Sequence, residues 1–189
     1  ALMFSHRLQV SGNLSRGDRE HGLMLNYANE SSVTGNRVED GAEKCLFIYN
    51  ANGNRIEGNR FAGCAIGIHF TAGSERNAIV GNAFVGNRTQ VKYVGTRDIA
   101  WSAGGRGNYW SDNPAFDLDG DGIGDRAYRP NDLVDQLVWR HPLAKLLLNS
   151  PAVHLVRWAQ SAFPPLYPGG VTDWAPLMAA PEVATGEEG

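Results

Sequence analysis

Carboxylates alternate along the run Asp117-Leu118-Asp119-Gly120-Asp121-Gly122-Ile123-Gly124-Asp125. Acids spaced this way on a tight turn aim their oxygens at one point, which is what a hard cation such as calcium requires. With Asp117 as position 1 of such a loop, Asp119, Asp121 and Asp125 fall at positions 3, 5 and 9. Gly122 falls at the sharp turn of position 6, and the carbonyl of Ile123 supplies position 7. Position 12, where a bidentate acid belongs, is Tyr128, so the last ligand would have to come from Asp112 or Asp132. The role expected for calcium here is structural.

A second donor set is softer. His21, Met24 and His69 offer imidazole and thioether groups of the kind that suit copper. His21 and Met24 lie near each other on one expected strand. Met24 and His69 are two coils apart, about 9–10 Å, too far to share an ion without rearrangement.

The elements that must position these residues repeat. Gly12-Asn13, Gly35-Asn36, Gly58-Asn59 and Gly81-Asn82 follow one another at intervals of 23 residues. A fixed period in this range marks a repeat architecture. Two residues before each pair stands a β-branched residue (Val10, Val33, Ile56, Ile79), and two after come Val38, Phe61 and Phe84. Each coil then has a longer alternating run, from Leu23-Met24-Leu25 to Val91-Lys92-Tyr93. Period-two alternation between Gly- and Asn-rich turns implies three short strands per coil, each with one buried face. The fold class expected is all-β, a right-handed parallel β-helix over residues 1–106. Stacked coils bring like residues into contact, so the Asn amides should hydrogen-bond in a column. Met24, Phe47, His69 and Lys92 should form one outward column, and it carries no carboxylate. The column after the asparagines reads Arg37, Arg60, Ala83, so paired acids at glycosidase separation are absent from it. Residue 1 falls inside a coil, which implies an uncapped stack and a longer parent protein.

Beyond the acidic loop, assigned to 107–130, the pattern becomes helical over 131–166. Asn131 or Asp132 caps a first segment, Pro142 opens a second, and Ser150-Pro151 starts a third that Pro164-Pro165 ends. In the third, Ala152, Leu155, Val156, Ala159 and Phe163 share one face; His154, Arg157 and Gln160 share the other. The helices read either as a cap alone or as a cap plus a docking element. Leu133, Leu137, Trp139, Leu146, Leu147, Leu155, Trp158 and Phe163, with Leu166 and Trp174, are more apolar surface than so narrow an end requires, and a surplus of this kind marks a partner-binding face. Residues 167–189 read as an extended terminus, small, acidic and disordered from Ala179.

The formal charge of −3 over 189 residues argues against nucleic acid as a partner. No apolar run approaches the ~20 residues of a membrane span. Cys45 aligns with Gly67, three residues past Cys64, which places the thiols roughly 10 Å apart along the strand direction. A disulfide needs Cα atoms within about 7 Å, so two unpaired thiols are expected.

The run Gly107-Asn108-Tyr109-Trp110-Ser111-Asp112 with Asp117 to Asp125 and Tyr128 resembles the NosD-type periplasmic β-helix proteins. So does the tail, from Tyr128-Arg129-Pro130-Asn131 through Leu146-Leu147-Leu148-Asn149-Ser150-Pro151-Ala152-Val153 to Arg157-Trp158-Ala159. The resemblance implies a periplasmic, non-enzymatic accessory protein. It implies a role in building the copper–sulfide centre of nitrous oxide reductase, with an ABC-type ATPase, a membrane permease and a copper chaperone lipoprotein as partners. Copper would be held transiently, and the protein would sit peripheral to the membrane. It supplies no ligand motif. A carbohydrate-binding or carbohydrate-modifying surface protein of the broader β-helix class is the alternative, and a purely structural calcium-stabilised repeat a third.

Overall fold

The computed structural model describes residues 1–95, 97–163 and 169–183. It is a parallel β-helix of about five turns with 23-residue coils and short helices near the C-terminus. Three parallel sheets form its faces. The long-strand face consists of Leu2–Met3, His21–Asn26, Lys44–Tyr49, Ile66–Thr71 and Thr89–Val94. The second runs from Gln9–Ser11 to Ala78–Val80, and the third from Leu14–Arg16 to Tyr109–Trp110.

Inside, like residues stack in register. Val10, Val33, Ile56 and Ile79 align, as do Val38 and Phe61, then Phe84 and Trp110. Aromatic rings continue the column upward, with Phe84 on Trp110 at 4.5 Å and Trp110 on Tyr128 at 4.8 Å. At one corner the asparagines form the expected ladder. Asn13, Asn36 and Asn59 each donate a side-chain N–H to the Oδ1 of the next rung at 2.9 Å, and Asn82 donates to Asn108 in the same way. Gly35 and Gly58, which precede rungs, take φ of +63°, a conformation that costs a residue with a Cβ.

The thiols are not free. Cys45 and Cys64 form a disulfide with Cα atoms 5.7 Å apart. The expectation of separated thiols fails because the residues between Cys64 and Gly67 round a corner instead of running along a strand. Cys64 occupies a corner column with Gly41 and Asn87: its backbone N–H donates to Asn87 Oδ1, and a Cβ on Gly41 would meet its sulfur at 3.1 Å. That corner points the Cys64 side chain inward onto Cys45, the second residue of the long strand Lys44–Tyr49. The bond closes a stretch with sequence separation 19, and loop entropy puts its contribution at about 3 kcal/mol. Cys45→Ala/Cys64→Ala should lower the urea-unfolding free energy by that amount, and reductant should have the same effect on the native chain but none on the variant.

The helical tail leaves the stack after Tyr128. Helix α1 (Leu133–Arg140) starts in a capping box, with Asp132 accepting from the Asp135 N–H and Asp135 accepting from the Asp132 N–H. The middle segment, Pro142–Leu147, is a 3-10 helix rather than a full α-helix. It has only six residues and opens on a proline with no N–H to give. Helix α2 (Pro151–Ala162) is capped by Ser150. Pro164, Pro165 and Leu166, and the terminal residues 184–189, lie outside the described residues.

The helices do not close the stack by themselves. The chain returns, and Val171–Thr172 pairs in parallel with Ile99–Ala100. Asp173 and Tyr128 exchange backbone hydrogen bonds at 2.8 and 2.9 Å. Val171, Ala175 and Leu177 are buried, so the segment read only as an extended terminus supplies part of the cap. The third sheet also extends to Tyr109–Trp110, which makes the first residues assigned to the acidic loop the last strand of the β-helix.

Candidate functional site

On the long-strand face Met24, Phe47, His69 and Lys92 are paired neighbours, in the expected column. Phe47 stands between two imidazoles, with ring centroids 5.1 Å from His21 and 4.9 Å from His69. His21 and Met24 line one open hollow of about 350 Å³ with Asp18 and Glu20. His69 lies on the far side of Phe47, so the structure joins two of the three soft donors and separates the third. The Nδ1 atoms of His21 and His69 are buried and have no hydrogen-bond partner among the described residues. Burial, then Lys92, Lys44 and His21, pushes the His69 pKa down to about 4. At neutral pH its imidazole is uncharged, the form that binds metals.

A carboxylate that sequence reading did not single out sits on the third face. Glu39 is buried among three arginines, 2.7 Å from Arg16, 2.8 Å from Arg37 and 3.6 Å from Arg60. Hydrogen bonds from Arg16 and Arg37 hold its carboxyl below the usual range. A carboxylate kept ionised in this way is unsuited to the general-acid role of a glycosidase.

In the acidic loop, ligand oxygens of Asp117, Asp119 and Asp121 lie within 4.8 Å of one another. Asp117 shapes the turn by accepting from the N–H groups of Gly120 and Gly122 at 2.7 and 2.8 Å. Those bonds, Gly122's first, hold the Asp117 carboxyl down. The Asp121 N–H also pulls Asp119 down, but the carboxylates of Asp117 and Asp121 outweigh it and leave Asp119 raised. Asp125 accepts from the Leu118 N–H at 2.8 Å and closes the loop. Ile123 bridges Leu177, tying the loop to the returning chain. The two outside candidates for a last ligand are engaged elsewhere. Asp112 accepts from the Tyr128 hydroxyl at 2.8 Å, and Asp132 caps α1.

The tail residues form an outward surface. On the polar side of helix α2 Gln160 is buried and its Oε1 accepts from the Leu133 N–H, while Arg157, itself exposed, pairs with Asp132 at 2.8 Å and His154 faces solvent. Much of the apolar face is exposed as well: Leu155, Val156 and Phe163 all reach solvent. Leu146 is 85% exposed, Leu155 63%, Trp158 62% and Phe163 59%; Leu133, Leu137 and Leu147 are exposed too, and Trp139 is half-buried.

Among the described residues no helix is long and apolar enough to cross a membrane. The class of protein is thus a disulfide-linked parallel β-helix that presents metal-compatible donors on one face and an apolar helical surface at one end. The chain belongs to the NosD family, described as periplasmic copper-binding proteins, whose model matches residues 1–115. It is similar to a probable ABC transporter binding protein NosD of Pseudomonas aeruginosa, 58% identical over 95 residues, and to one of Stutzerimonas stutzeri, 53% identical over 95 residues. Each match covers 50% of this chain and 22% of the relative. Both relatives are named as transporter-binding proteins, not as enzymes.

Proposed function

We propose that this chain is a periplasmic, non-enzymatic accessory module in assembly of the copper–sulfide centre of nitrous oxide reductase, and that its helical tail docks on the permease of an ABC transporter. One observation carries the docking: α2 and the 3-10 segment leave Leu143, Leu146, Leu147, Leu155, Trp158 and Phe163 exposed together at one end of the fold. An arrangement of this kind costs free energy unless a partner covers it. The names of the relatives support a transporter as that partner. The remaining partners in this reading are the ATPase, nitrous oxide reductase and a copper chaperone lipoprotein. His21 and Met24, which share a hollow, are the copper ligands we assign, with His69 a separate neutral donor. The acidic loop holds calcium through Asp117, Asp119, Asp121, the Ile123 carbonyl and Asp125, and the ion pins the loop against the cap. The disulfide supports an oxidising compartment such as the periplasm.

The test is co-purification of the intact protein with the permease and ATPase, against forms lacking residues 131–166 or carrying Leu146→Glu/Leu147→Glu/Leu155→Glu. These leucines are solvent-facing, so the triple variant should fold normally and lose transporter binding on the order of a hundredfold. If both altered forms stay in the complex, the docking reading fails and the carbohydrate alternative gains. That alternative draws on exposed rings at the ends of the first long strands, where Phe4 stacks on Tyr27 at 5.3 Å and Tyr27 meets Tyr49 edge-on.

A further inference from the structure

The helices and the long-strand face do not pack flush. Between them lies a cleft of about 520 Å³, into which Arg88 and Lys92 project from the sheet side, Trp139 from α1, Lys145 from the 3-10 segment and Arg157 from α2. Arg157 is shared with Asp132. Arg88, Lys92 and Lys145 have no ion-pair partner among the described residues. The lining has a single carboxylate, Asp135, and it accepts from the Asp132 N–H in the capping box. In a chain of formal charge −3, four cations thus meet in one concave site.

Like charges crowded in a cleft with low-dielectric walls raise its potential and draw in an anion. Guanidinium groups bind phosphate through a planar fork, and lysines add rotatable point charges. The volume exceeds what one phosphate fills, and the Trp139 ring, Ile66 and Val138 give the floor an apolar part. Just outside, the segment that contributes Lys145 to the cleft lining exposes Leu143 and Leu146 at 82% and 85%. Cations beside exposed leucines form the pattern of an interfacial lipid contact.

We propose that this cleft binds a phosphate group, either free or as the headgroup of an anionic phospholipid. The site is independent of the copper assignment and can be tested without any transporter. Calorimetric titration with inorganic phosphate at constant ionic strength, with chloride as control, probes the free anion. Sedimentation with phosphatidylglycerol vesicles, against phosphatidylcholine vesicles, probes the headgroup. Saturable binding is expected in at least one arm; phosphate alone assigns the free ion, and anionic vesicles alone assign the lipid. Arg88→Gln/Lys145→Gln should weaken it at least about tenfold with an unchanged melting temperature. Arg106→Gln/Arg126→Gln, which removes exposed cations away from the cleft, should leave it intact. Binding in neither arm overturns the assignment. So does binding that the first variant leaves untouched, or that both variants weaken equally.

Discussion

Replacing Asn59 with alanine should cost about 4 kcal/mol, measured as a loss of unfolding free energy in urea. The residue is fully buried in the middle of the ladder. Its Oδ1 accepts from both the backbone N–H and the side-chain amide of Asn36 at 2.9 Å. Its Nδ2 donates to Val33 O at 2.8 Å, to Asn82 Oδ1 at 2.9 Å and to Glu57 O at 3.1 Å. Truncation leaves the Asn36 N–H without its acceptor, which costs roughly 1–3 kcal/mol when buried, and removes the amide's bonds to Val33 O and Asn82 Oδ1. It also opens a void that two stacked coils cannot close. Asn59→Asp should be no milder, because a carboxylate would face Asn82 Oδ1 as acceptor against acceptor. Asn13 lies at the exposed end of the same ladder, and Asn13→Ala should cost about 1 kcal/mol or less. A uniform effect at both positions would mean that the ladder acts by turn propensity and not by burial.

The ladder was legible because its spacing is rigid. A 23-residue period places identical side chains at one strand separation, so periodicity alone predicts contact. A second ladder obeys the same rule without a uniform residue type to mark it. The Ser31 N–H donates to Asn54 Oδ1, and the Asn54 N–H to Asn77 Oδ1, with 23 residues between partners. Its first rung is a serine, which broke the pattern to the eye. The disulfide was missed for a related reason. Column counting treats every residue as rising along a strand, and Cys64 sits where the chain turns. Glu39 was hidden because its three arginines come from three successive coils and only the fold assembles them. The outward column and the acidic turn were readable from alternation and from glycine placement. The direction of the apolar face of α2 was not, since an amphipathic pattern identifies two faces without saying which is buried. Here the buried side holds Gln160, whose partner is the first backbone N–H of α1.

Asp173→Ala should cost about 4 kcal/mol and unfasten the C-terminal end of the stack first. The carboxylate is completely buried and takes the place of a sixth rung after the five asparagines of the ladder. Its Oδ2 accepts from the Asn108 N–H at 2.7 Å and from Trp110 Nε1 at 2.8 Å, and its Oδ1 accepts from the Ala175 N–H at 3.1 Å. Burial raises its carboxyl pKa, and these donors only partly offset the shift. It lies so close to Gly107 that a Cβ there would fall 1.8 Å from its Oδ1, which explains the glycine. Removing the carboxylate strands three buried donors at the last coil. Asp173→Asn should recover part of the loss, because an amide oxygen in the Oδ2 position can still accept from both Asn108 and Trp110, while the amide nitrogen cannot accept from the Ala175 N–H. Hydrogen exchange of the Asn108 and Tyr128 amides reads the effect locally: both should lose protection before the amides of the central coils, and simultaneous loss throughout would mean that the cap is part of one cooperative unit. Because Tyr128 and Asp173 hold each other, the helical tail is an excursion anchored at both ends. In the docking we propose, a partner pulling on that tail pulls on the end of the β-helix, so Asp173→Ala should weaken transporter co-purification even though it changes none of the residues assigned to docking.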